Sequence, residues 1–402
     1  MNALVIADQR TYDNLAQNLI EKGYYGIEGI FRSYRPPLYP FFLSLLYRAL
    51  GHSYAFARLV QAGLASVSCL LLFFIARYLC GPRVALLASF FAAVDFSLIH
   101  LSGLFLSENL YIPLSILLIL LLMDGFMNPR IVTFVIAGLI GGLTALCRPV
   151  ILPFLIAVGL VPVFQKASAS LFVRKEFRRL KPAATGSRNN AKKKLAARAS
   201  LGWVIMLITA AATIAPWTIR NFRIHHRFVA ISTNGGVMLW MGLHPGAPGG
   251  YHFPEEDNPL YRIRDEVERE RLGIRESIRF IIGHPGEFLK LAAIKMKLFW
   301  RGYLFTMSGK QWLIFLILGT GGLFLTFRDW RKWSVIYIYL LSFVMVHVLV
   351  HSAQRYRWPL NPLIEIWAAI FCVRIWEMIK GTFRLKKKAF FPGSVNPTSR
   401  QG

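Results

Sequence analysis

Long apolar runs divide this chain, and they restrict its fold more than any other feature of the sequence. Each run is close to the roughly 20 residues that a helix needs to cross a lipid bilayer. Hydrophobic residues make up 55% of the 402 residues, against about 45–50% in soluble domains. The sequence therefore predicts an all-α polytopic membrane protein with spans at 54–80, 84–101, 108–123, 131–147, 149–164, 201–219, 312–327, 334–351 and 359–377.

Basic residues predict which ends of these spans face the cytoplasm. Lys and Arg outnumber Asp and Glu by 47 to 20, and they concentrate in the segments 165–200, 328–332 and 380–388. Such clusters favour the cytoplasmic side, so the net charge of +27 does not indicate nucleic acid as a partner. Counting spans from these segments predicts an outer side that holds Asp8, the turn at Ser107-Glu108, Arg148, the loop 220–300 and the turn 351–357.

The predicted domain organisation follows from the spans and their orientation. It comprises an outer-face catalytic loop with interfacial helices at 1–53, transmembrane helices at 54–164, a basic cytoplasmic linker at 165–200, a transmembrane helix at 201–219, an outer-face loop with an interfacial helix at 220–311, transmembrane helices at 312–379 and a basic cytoplasmic tail at 380–402. The short apolar stretches 38–50 and 288–305 are expected to lie along the interface. Seven residues before Asp8 cannot carry it outward, so we expect the gene to encode a further transmembrane helix upstream.

Two parts of the outer loop differ in composition. The stretch 232–251 is rich in Gly and Pro and predicts turns. The stretch 258–282 alternates charges at helical spacing, which is typical of a solvated helix face. The tail from Pro392 is expected to lack fixed structure.

The polar segment near the N-terminus holds the first candidate for chemistry. Asp8, Tyr12, Ala16 and Leu19 recur at three- and four-residue steps, so they share one face of a helix. Asp8 is either a helix cap or a functional carboxylate, whereas Asp13 is expected to be a solvated neighbour and is the rival base.

Charged groups next to hydrocarbon tend to be paired or functional. Those at the predicted outer turns are Glu108, Arg148, Arg220, His351, Arg355 and Arg357. The alternatives are a cap for Glu108, headgroup contacts for the arginines, and a structural pair between Arg148 and Glu108.

An ordered set of motifs resembles a known family. The motifs are Asp8-x3-Tyr12-x3-Ala16-x2-Leu19, Arg35-Pro-Pro-Leu-Tyr-Pro40, Ser107-Glu108, Arg148-Pro149, Pro216-Trp-Thr-Ile-Arg-Asn221, Asn234-Gly-Gly236, Leu239-Trp240 and Arg355-Tyr-Arg-Trp-Pro359. Together they resemble the protein mannosyltransferase and lipid A aminoarabinose transferase family, which comprises bacterial glycosyltransferases that use polyprenyl-phosphate sugars. The resemblance implies a GT-C-like transmembrane helix bundle with outer-face loops and interfacial helices.

The resemblance also implies an activity. It is that of an inverting glycosyltransferase of the cell envelope, which moves a sugar from a polyprenyl-phosphate donor to a hydroxyl or phosphate acceptor on a glycan, lipid or protein. The active site would face the outer, periplasmic side of the bacterial inner membrane, among membrane lipids. The family's base in the first outer loop corresponds to Asp8, and a carboxylate there can take the acceptor's proton.

The remaining site candidates fall into three groups. Glu108 is the second catalytic carboxylate. Arginines suit a phosphate because their planar fork matches its oxygens, and the candidates for the donor phosphate are Arg148, Arg220, Arg355 and Arg357. The candidates for substrate binding are Tyr12, Arg35, Tyr39, Asn221, His351 and Tyr356.

No cofactor is firmly expected. A divalent cation near Asp8 and Glu108 is left open, while His225-His226 and His244 lack zinc-ligand spacing with nearby acids. The four cysteines lie in or beside apolar runs and predict no disulfides.

A second hypothesis is a transporter or flippase of lipid-linked saccharides. Such a protein would place ionisable groups mid-span and break its helices. Only Asp95 and Pro113 interrupt the spans in this way.

Overall fold

Helices form the regular framework of the chain. The computed structural model describes residues 7–27, 32–162, 185–250, 258–260, 262–302 and 305–390. The α-helices are α1 (Ala7–Glu21), α2 (Leu38–Leu50), α3 (Tyr54–Cys80), α4 (Pro82–Ala93), α5 (Phe96–Ser102), α6 (Glu108–Met127), α7 (Ile131–Cys147), α8 (Leu152–Ala157), α9 (Thr185–His225), α10 (Gly235–Gly242), α11 (Glu266–Gly283), α12 (Pro285–Trp300), α13 (Met307–Phe327), α14 (Ser334–Leu349) and α15 (Asn361–Phe390). Short 3₁₀ turns lie at Pro149–Ile151, Val158–Leu160 and Gln354–Leu360. The prediction of an all-α membrane protein is confirmed.

Helices long and apolar enough to cross a membrane lie at the predicted positions. Over the described residues they are Tyr54–Cys80, Glu108–Met127, Lys194–His225 and Met307–Phe327, and the bent pair α4 and α5 makes a fifth if it is counted as one span. Shorter apolar helices at Ile131–Cys147, Pro149–Leu160 and Ser334–Leu349 coincide with three further predicted spans.

The predicted span 84–101 is not continuous. It is broken between Ala93 and Phe96, and the two halves meet at 55°. Asp95 caps the start of the second half, where its carboxylate accepts the N–H of Ser97 at 2.7 Å. Gln311 supplies the missing partners, since its side chain donates to the carbonyl of Val94 at 2.7 Å and accepts the N–H of Phe96 at 2.8 Å. Filling both positions removes the cost of unpaired backbone groups in an apolar bundle.

The turns predicted to share the outer side meet at one end of the bundle, which we call the Asp8 end. Its contacts join Asp8 to Arg355, Glu108 to Arg148, and Arg220 to the backbone of Arg32. At the opposite end, contacts join Lys332 to the carbonyl of Leu79 and Arg83 to Glu377. Residues predicted to lie on one side thus contact residues predicted to lie on the same side.

The Gly- and Pro-rich stretch contains a helix, α10, where turns were predicted. The carboxylate of Glu270 accepts the N–H of Gly236 at 2.8 Å and so satisfies the start of the helix. A Cβ at Gly236 would lie 2.0 Å from the carbonyl oxygen of Glu270, and one at Gly273 would lie 2.4 Å from that of Gly236. The glycines therefore serve a close crossing of α10 and α11 and are not turn residues here.

Helix α12 covers most of the stretch predicted to lie along the interface. Leu289 is 67% exposed, as an interfacial side chain would be, but Lys295 is fully buried. Its ammonium donates to the carbonyls of Val348 and Leu349, at 3.0 and 3.1 Å, at the end of α14. A cation is favoured at the C-terminal end of a helix, so Lys295 fastens α12 to the turn that follows α14.

Helix α9 extends well beyond the predicted span 201–219. It begins at Thr185, inside the segment predicted as a basic linker, and ends at His225. Residues 165–184 of that linker lie outside the described residues, as does the tail from Pro392. The basic stretch 380–388 continues α15.

Candidate active site

Asp8 lies at the centre of a cluster of charges. Helix α1 places its carboxylate beside two arginines from distant parts of the chain. Arg35 Nη2 lies 2.5 Å from Oδ1, and Arg355 donates to Oδ2. The Asp8 side chain is 20% exposed, so it is sheltered but still open to a ligand.

The two guanidinium groups determine the charge of Asp8. Burial acts to raise its pKa, but the charges and hydrogen bonds of Arg35 and Arg355 outweigh burial, so the pKa lies below the ordinary value. Asp8 is therefore ionised at neutral pH, and it stays a weak base while both arginines hold it.

A second ion pair adjoins the first. Arg148 Nη1 lies 2.5 Å from Oε1 of Glu108, whose side chain is 3% exposed. The hydroxyl of Ser107 links the two pairs, because it lies 3.4 Å from Arg148 Nη1 and accepts the hydroxyl of Tyr12 at 3.3 Å. Arg35, the partner of Asp8, lies 5.6 Å from the centroid of the Tyr12 ring, so Tyr12 lies between the two ion pairs.

Tyr356 closes the cluster on the side of the 3₁₀ turn. Arg148 and Arg355 lie over its ring, at 5.9 and 5.3 Å from the centroid. Its hydroxyl lies 2.8 Å from Nε2 of His351. Burial and the nearby Arg355 lower the pKa of His351 to about 4, so this imidazole is neutral at physiological pH and acts here as a hydrogen-bonding group.

Three predicted residues are engaged elsewhere. Arg220 donates to the carbonyls of Arg32 and Tyr25 at 2.8 and 2.7 Å. Asn221 donates to the carbonyls of Val229 and Ile231 at 3.2 and 3.1 Å. Arg357 is fully buried, lies over the ring of Trp312 at 4.0 Å, and donates to the carbonyl of Arg301 at 2.9 Å.

Tyr39 is a buried residue that packs against the site. It is fully buried, donates to Gln61 at 2.6 Å, and packs edge-on against Tyr12 at 5.0 Å between ring centroids. Tyr39 therefore positions Tyr12 through this ring contact.

Asp13 is not the solvated neighbour that the sequence suggested. It is 4% exposed, and its carboxylate accepts hydrogen bonds from Tyr47 at 2.7 Å, Tyr54 at 2.9 Å and Gln17 at 2.9 Å, with His52 Nε2 at 3.0 Å. These donors come from α1, α2, α3 and the turn between the last two, so Asp13 joins helices. A carboxylate with its lone pairs so occupied is poorly placed to take a proton from a substrate.

Glu266 is a positioning residue that the sequence analysis missed. Its carboxylate accepts the N–H groups of Arg32 and Ser33 at 3.0 Å each and the hydroxyl of Thr233 at 2.9 Å. Glu266 therefore holds the segment that leads into Arg35. The alternating charges of α11 concealed this role, because Glu266 resembles its solvated neighbours in sequence.

The geometry bears on the open question of a divalent cation. The described residues contain no group of three or more His, Cys, Asp and Glu that could hold a metal. Asp8 and Glu108 are each paired with arginine, so arginine side chains balance the charge of both carboxylates in this structure.

The family comparison agrees with the resemblance drawn from the motifs. Residues 34–178 match the family described as Dolichyl-phosphate-mannose-protein mannosyltransferase. That range includes Arg35, Tyr39, Glu108 and Arg148. No curated protein sequence matches the chain.

One solved structure of a membrane protein shares the fold of this chain, and two others match it less well. The oligosaccharyltransferase of Archaeoglobus fulgidus, in a crystal structure with a tethered acceptor peptide, is 13% identical with a TM-score of 0.50, over 99% of this chain and 49% of that one. This chain thus spans about half the length of that enzyme. ArnT from Cupriavidus metallidurans matches in its apo state at 13% identity and a TM-score of 0.40, over 92% of this chain and 74% of that one. Its complex with undecaprenyl phosphate matches at 14% and 0.39, over 89% and 74%. The expected GT-C fold is confirmed.

Proposed function

We propose that this chain is an inverting glycosyltransferase that moves a sugar from a polyprenyl-phosphate donor to a hydroxyl or phosphate acceptor. The observation that carries the proposal is the contact of one carboxylate, Asp8, with the two guanidinium groups of Arg35 and Arg355 at one end of a membrane helix bundle. A proton acceptor and cations for a phosphate are the two requirements of this reaction, and they lie together there.

The reaction assigns a step to each group. The acceptor oxygen attacks the anomeric carbon, and the proton of a hydroxyl acceptor passes to the carboxylate of Asp8. The bond between that carbon and the phosphate oxygen breaks, and its electrons stay with the departing polyprenyl phosphate. Arg35, Arg148 and Arg355 stabilise the growing negative charge, which is usually the largest contribution to catalysis. Attack from the side opposite the phosphate inverts the configuration.

The ion pairs suggest that binding of the donor phosphate makes Asp8 a stronger base. A phosphate arriving beside Arg35 and Arg355 competes with Asp8 for their N–H groups. As these contacts pass to the phosphate, the two influences that hold the pKa of Asp8 down are lost and burial remains to raise it. Asp8 then becomes a stronger base only when the donor is present.

The other candidates receive narrower roles. We assign Glu108 to holding Arg148 beside the cluster, and Tyr12, His351 and Tyr356 to lining the substrate site. Arg220 and Arg357 give their hydrogen bonds to backbone carbonyls, so we assign them to positioning and not to the donor phosphate.

Asp8→Asn tests the proposal. The purified full-length protein is given a panel of polyprenyl-phosphate sugars, and release of polyprenyl phosphate is measured, because this product is the same whichever sugar is moved. We expect release to fall by about 100-fold or more, since a positioned base typically contributes 10²–10⁴. Glu21→Gln, an exposed change on the same helix, is the matched control. Wild-type release by Asp8→Asn would rule out Asp8 as the base.

We also propose an outer-face active site in the bacterial inner membrane. Arg275 is 67% exposed on α11, and Arg83 is 83% exposed at the opposite end of the bundle. In intact cells, an impermeant thiol reagent should label Arg275→Cys and spare Arg83→Cys. The reverse pattern would invert the orientation.

The broken span at Asp95 favours a second candidate function, that of a transporter or flippase of lipid-linked saccharides. Broken helices with internal ionisable groups are features of transporters. In proteoliposomes, a flippase would move a polyprenyl-phosphate sugar across the bilayer without releasing polyprenyl phosphate. A transferase would release it in step with transfer.

A further inference from the structure

A buried polar cluster lies at the break between α4 and α5, apart from the Asp8 site. Its members come from three segments and are almost completely inaccessible. Asp95 is 2% exposed, Asn361 is 1%, and Glu365 and Arg357 are fully buried. Helix α15, which carries Asn361 and Glu365 one turn apart, packs against α4 and α13.

The contacts of Asp95 show how the cluster is built. Its Oδ1 accepts the N–H of Ser97 at 2.7 Å, and its Oδ2 accepts the side-chain N–H of Asn361 at 2.7 Å. Arg357 lies within electrostatic reach of Asp95, although its guanidinium donates to the carbonyl of Arg301. One cation, on the 3₁₀ turn, therefore acts on the charge of Asp95 without forming a direct ion pair with it.

Glu365 supplies a second carboxyl group to the same place. It lies within hydrogen-bonding reach of Asp95, yet neither of its oxygens has a donor among the described residues. The side-chain oxygen of Asn361 also lacks a partner there. Two carboxylates are both acceptors, so they can form a hydrogen bond only if one of them carries a proton.

The charges of the cluster also require that one of the two carboxyl groups carries a proton. Among the described residues, the titratable or charged groups that act on the two carboxyls are Arg357 and, from α3, the thiol of Cys69. One guanidinium balances one carboxylate, and a second ionised carboxylate would be a buried charge without a partner. Such a charge is strongly unfavourable and is usually neutralised by a proton.

We propose that Asp95 and Glu365 form a proton-binding site in which one proton bridges the two carboxyl groups. Asn361 and Ser97 hold Asp95 as the acceptor, and Glu365 carries the proton. The site ties the broken span to the start of α15, which directly follows the turn that bears Arg355. It stands whether or not the chain transfers sugars.

Infrared spectroscopy of the full-length protein in lipid nanodiscs tests the site. A protonated buried carboxyl gives a carbonyl band that shifts when H₂O is replaced by D₂O. We expect this band in the wild type at neutral pH, and its loss in Glu365→Gln and in Asp95→Asn. The amide of Glu365→Gln can still donate to Asp95, so this variant should keep the wild-type melting temperature, whereas Glu365→Ala should melt lower.

Glu270→Gln is the matched control. Burial raises the pKa of Glu270 to about 7, so it is another carboxyl that can be protonated near neutral pH, and the band assigned to Glu365 should survive its replacement. Absence of the band in the wild type, or its persistence in both Glu365→Gln and Asp95→Asn, overturns the proposal. Loss of the band on adding Na⁺, with a rise in melting temperature, would instead identify a sodium site.

Discussion

Glu266 offers the sharpest test of how the site is held together. Its side chain is buried, and it accepts the N–H groups of Arg32 and Ser33. These two residues precede Arg35, which binds Asp8. Glu266→Gln keeps the shape of the side chain but removes its charge, so it should loosen this segment without opening a cavity.

The size of the effect follows from the hydrogen bonds. In its best orientation, the new amide keeps its oxygen toward the two backbone N–H groups, while its NH₂ faces the hydroxyl of Thr233, which can rotate to accept. Hydrogen bonds to charged groups are worth about 1.5–3 kcal/mol and neutral ones about 0.5–1.5. Two weakened bonds therefore lower the free energy of unfolding by about 2 kcal/mol. Glu266→Ala leaves both N–H groups buried without an acceptor, which should cost about 4 kcal/mol.

Equilibrium unfolding in mixed micelles measures this order, and release of polyprenyl phosphate measures the effect on the site. Both quantities should fall in the order wild type, Glu266→Gln, Glu266→Ala, because displacement of Arg35 loosens Asp8. Glu268→Gln is the matched control, since Glu268 is 57% exposed on the same helix and should change stability by less than about 0.5 kcal/mol. If Glu266→Gln, Glu266→Ala and the control Glu268→Gln all unfold alike, Glu266 does not hold the Arg32–Arg35 segment.

Three further predictions concern buried charges. Asp13→Asn should lower the free energy of unfolding by about 2–4 kcal/mol, because several donors lose a charged acceptor; unchanged chemical unfolding would contradict its helix-joining role. Arg148→Ala should destabilise the protein by about 3–5 kcal/mol by leaving Glu108 unpaired. Adding Glu108→Gln to this variant should restore stability but not the release of polyprenyl phosphate. Recovery of both quantities would mean that the pair has only a structural role. Burial lowers the pKa of Lys295 from 10.5 to about 8, so between pH 8 and 10.5 the unfolded chain binds more protons than the folded protein, and the free energy of unfolding should rise with pH. Lys295→Met should flatten that rise. An equal slope in both proteins would refute the assignment to Lys295.

The sequence alone could predict the spans and the grouping of turns, because apolar runs and basic clusters report directly on the bilayer. It could also bring Asp8 and Arg355 to one end. Residue type and position alone do not rank Asp8 above Asp13, since both are acids on α1, and the preference for Asp8 came from the family resemblance. Asp13 is occupied by donors such as Tyr47 and Tyr54, which reach it only through the packing of α2 and α3.

The partners of the arginines separate roles that the sequence treats alike. Arg220 and Arg357 are bound to backbone carbonyls, and a ligand that removed them would leave those carbonyls buried without donors. Arg35, Arg148 and Arg355 are bound to carboxylates, which an anionic phosphate can replace while keeping the guanidinium groups balanced. For Asp8 this exchange has a second effect, because the displaced carboxylate recovers its basicity. If so, a polyprenyl phosphate alone should raise the apparent pKa of Asp8 in the wild type, which infrared spectroscopy of its carboxylate bands can follow. An unchanged pKa at saturating lipid would mean that the phosphate binds without displacing the base.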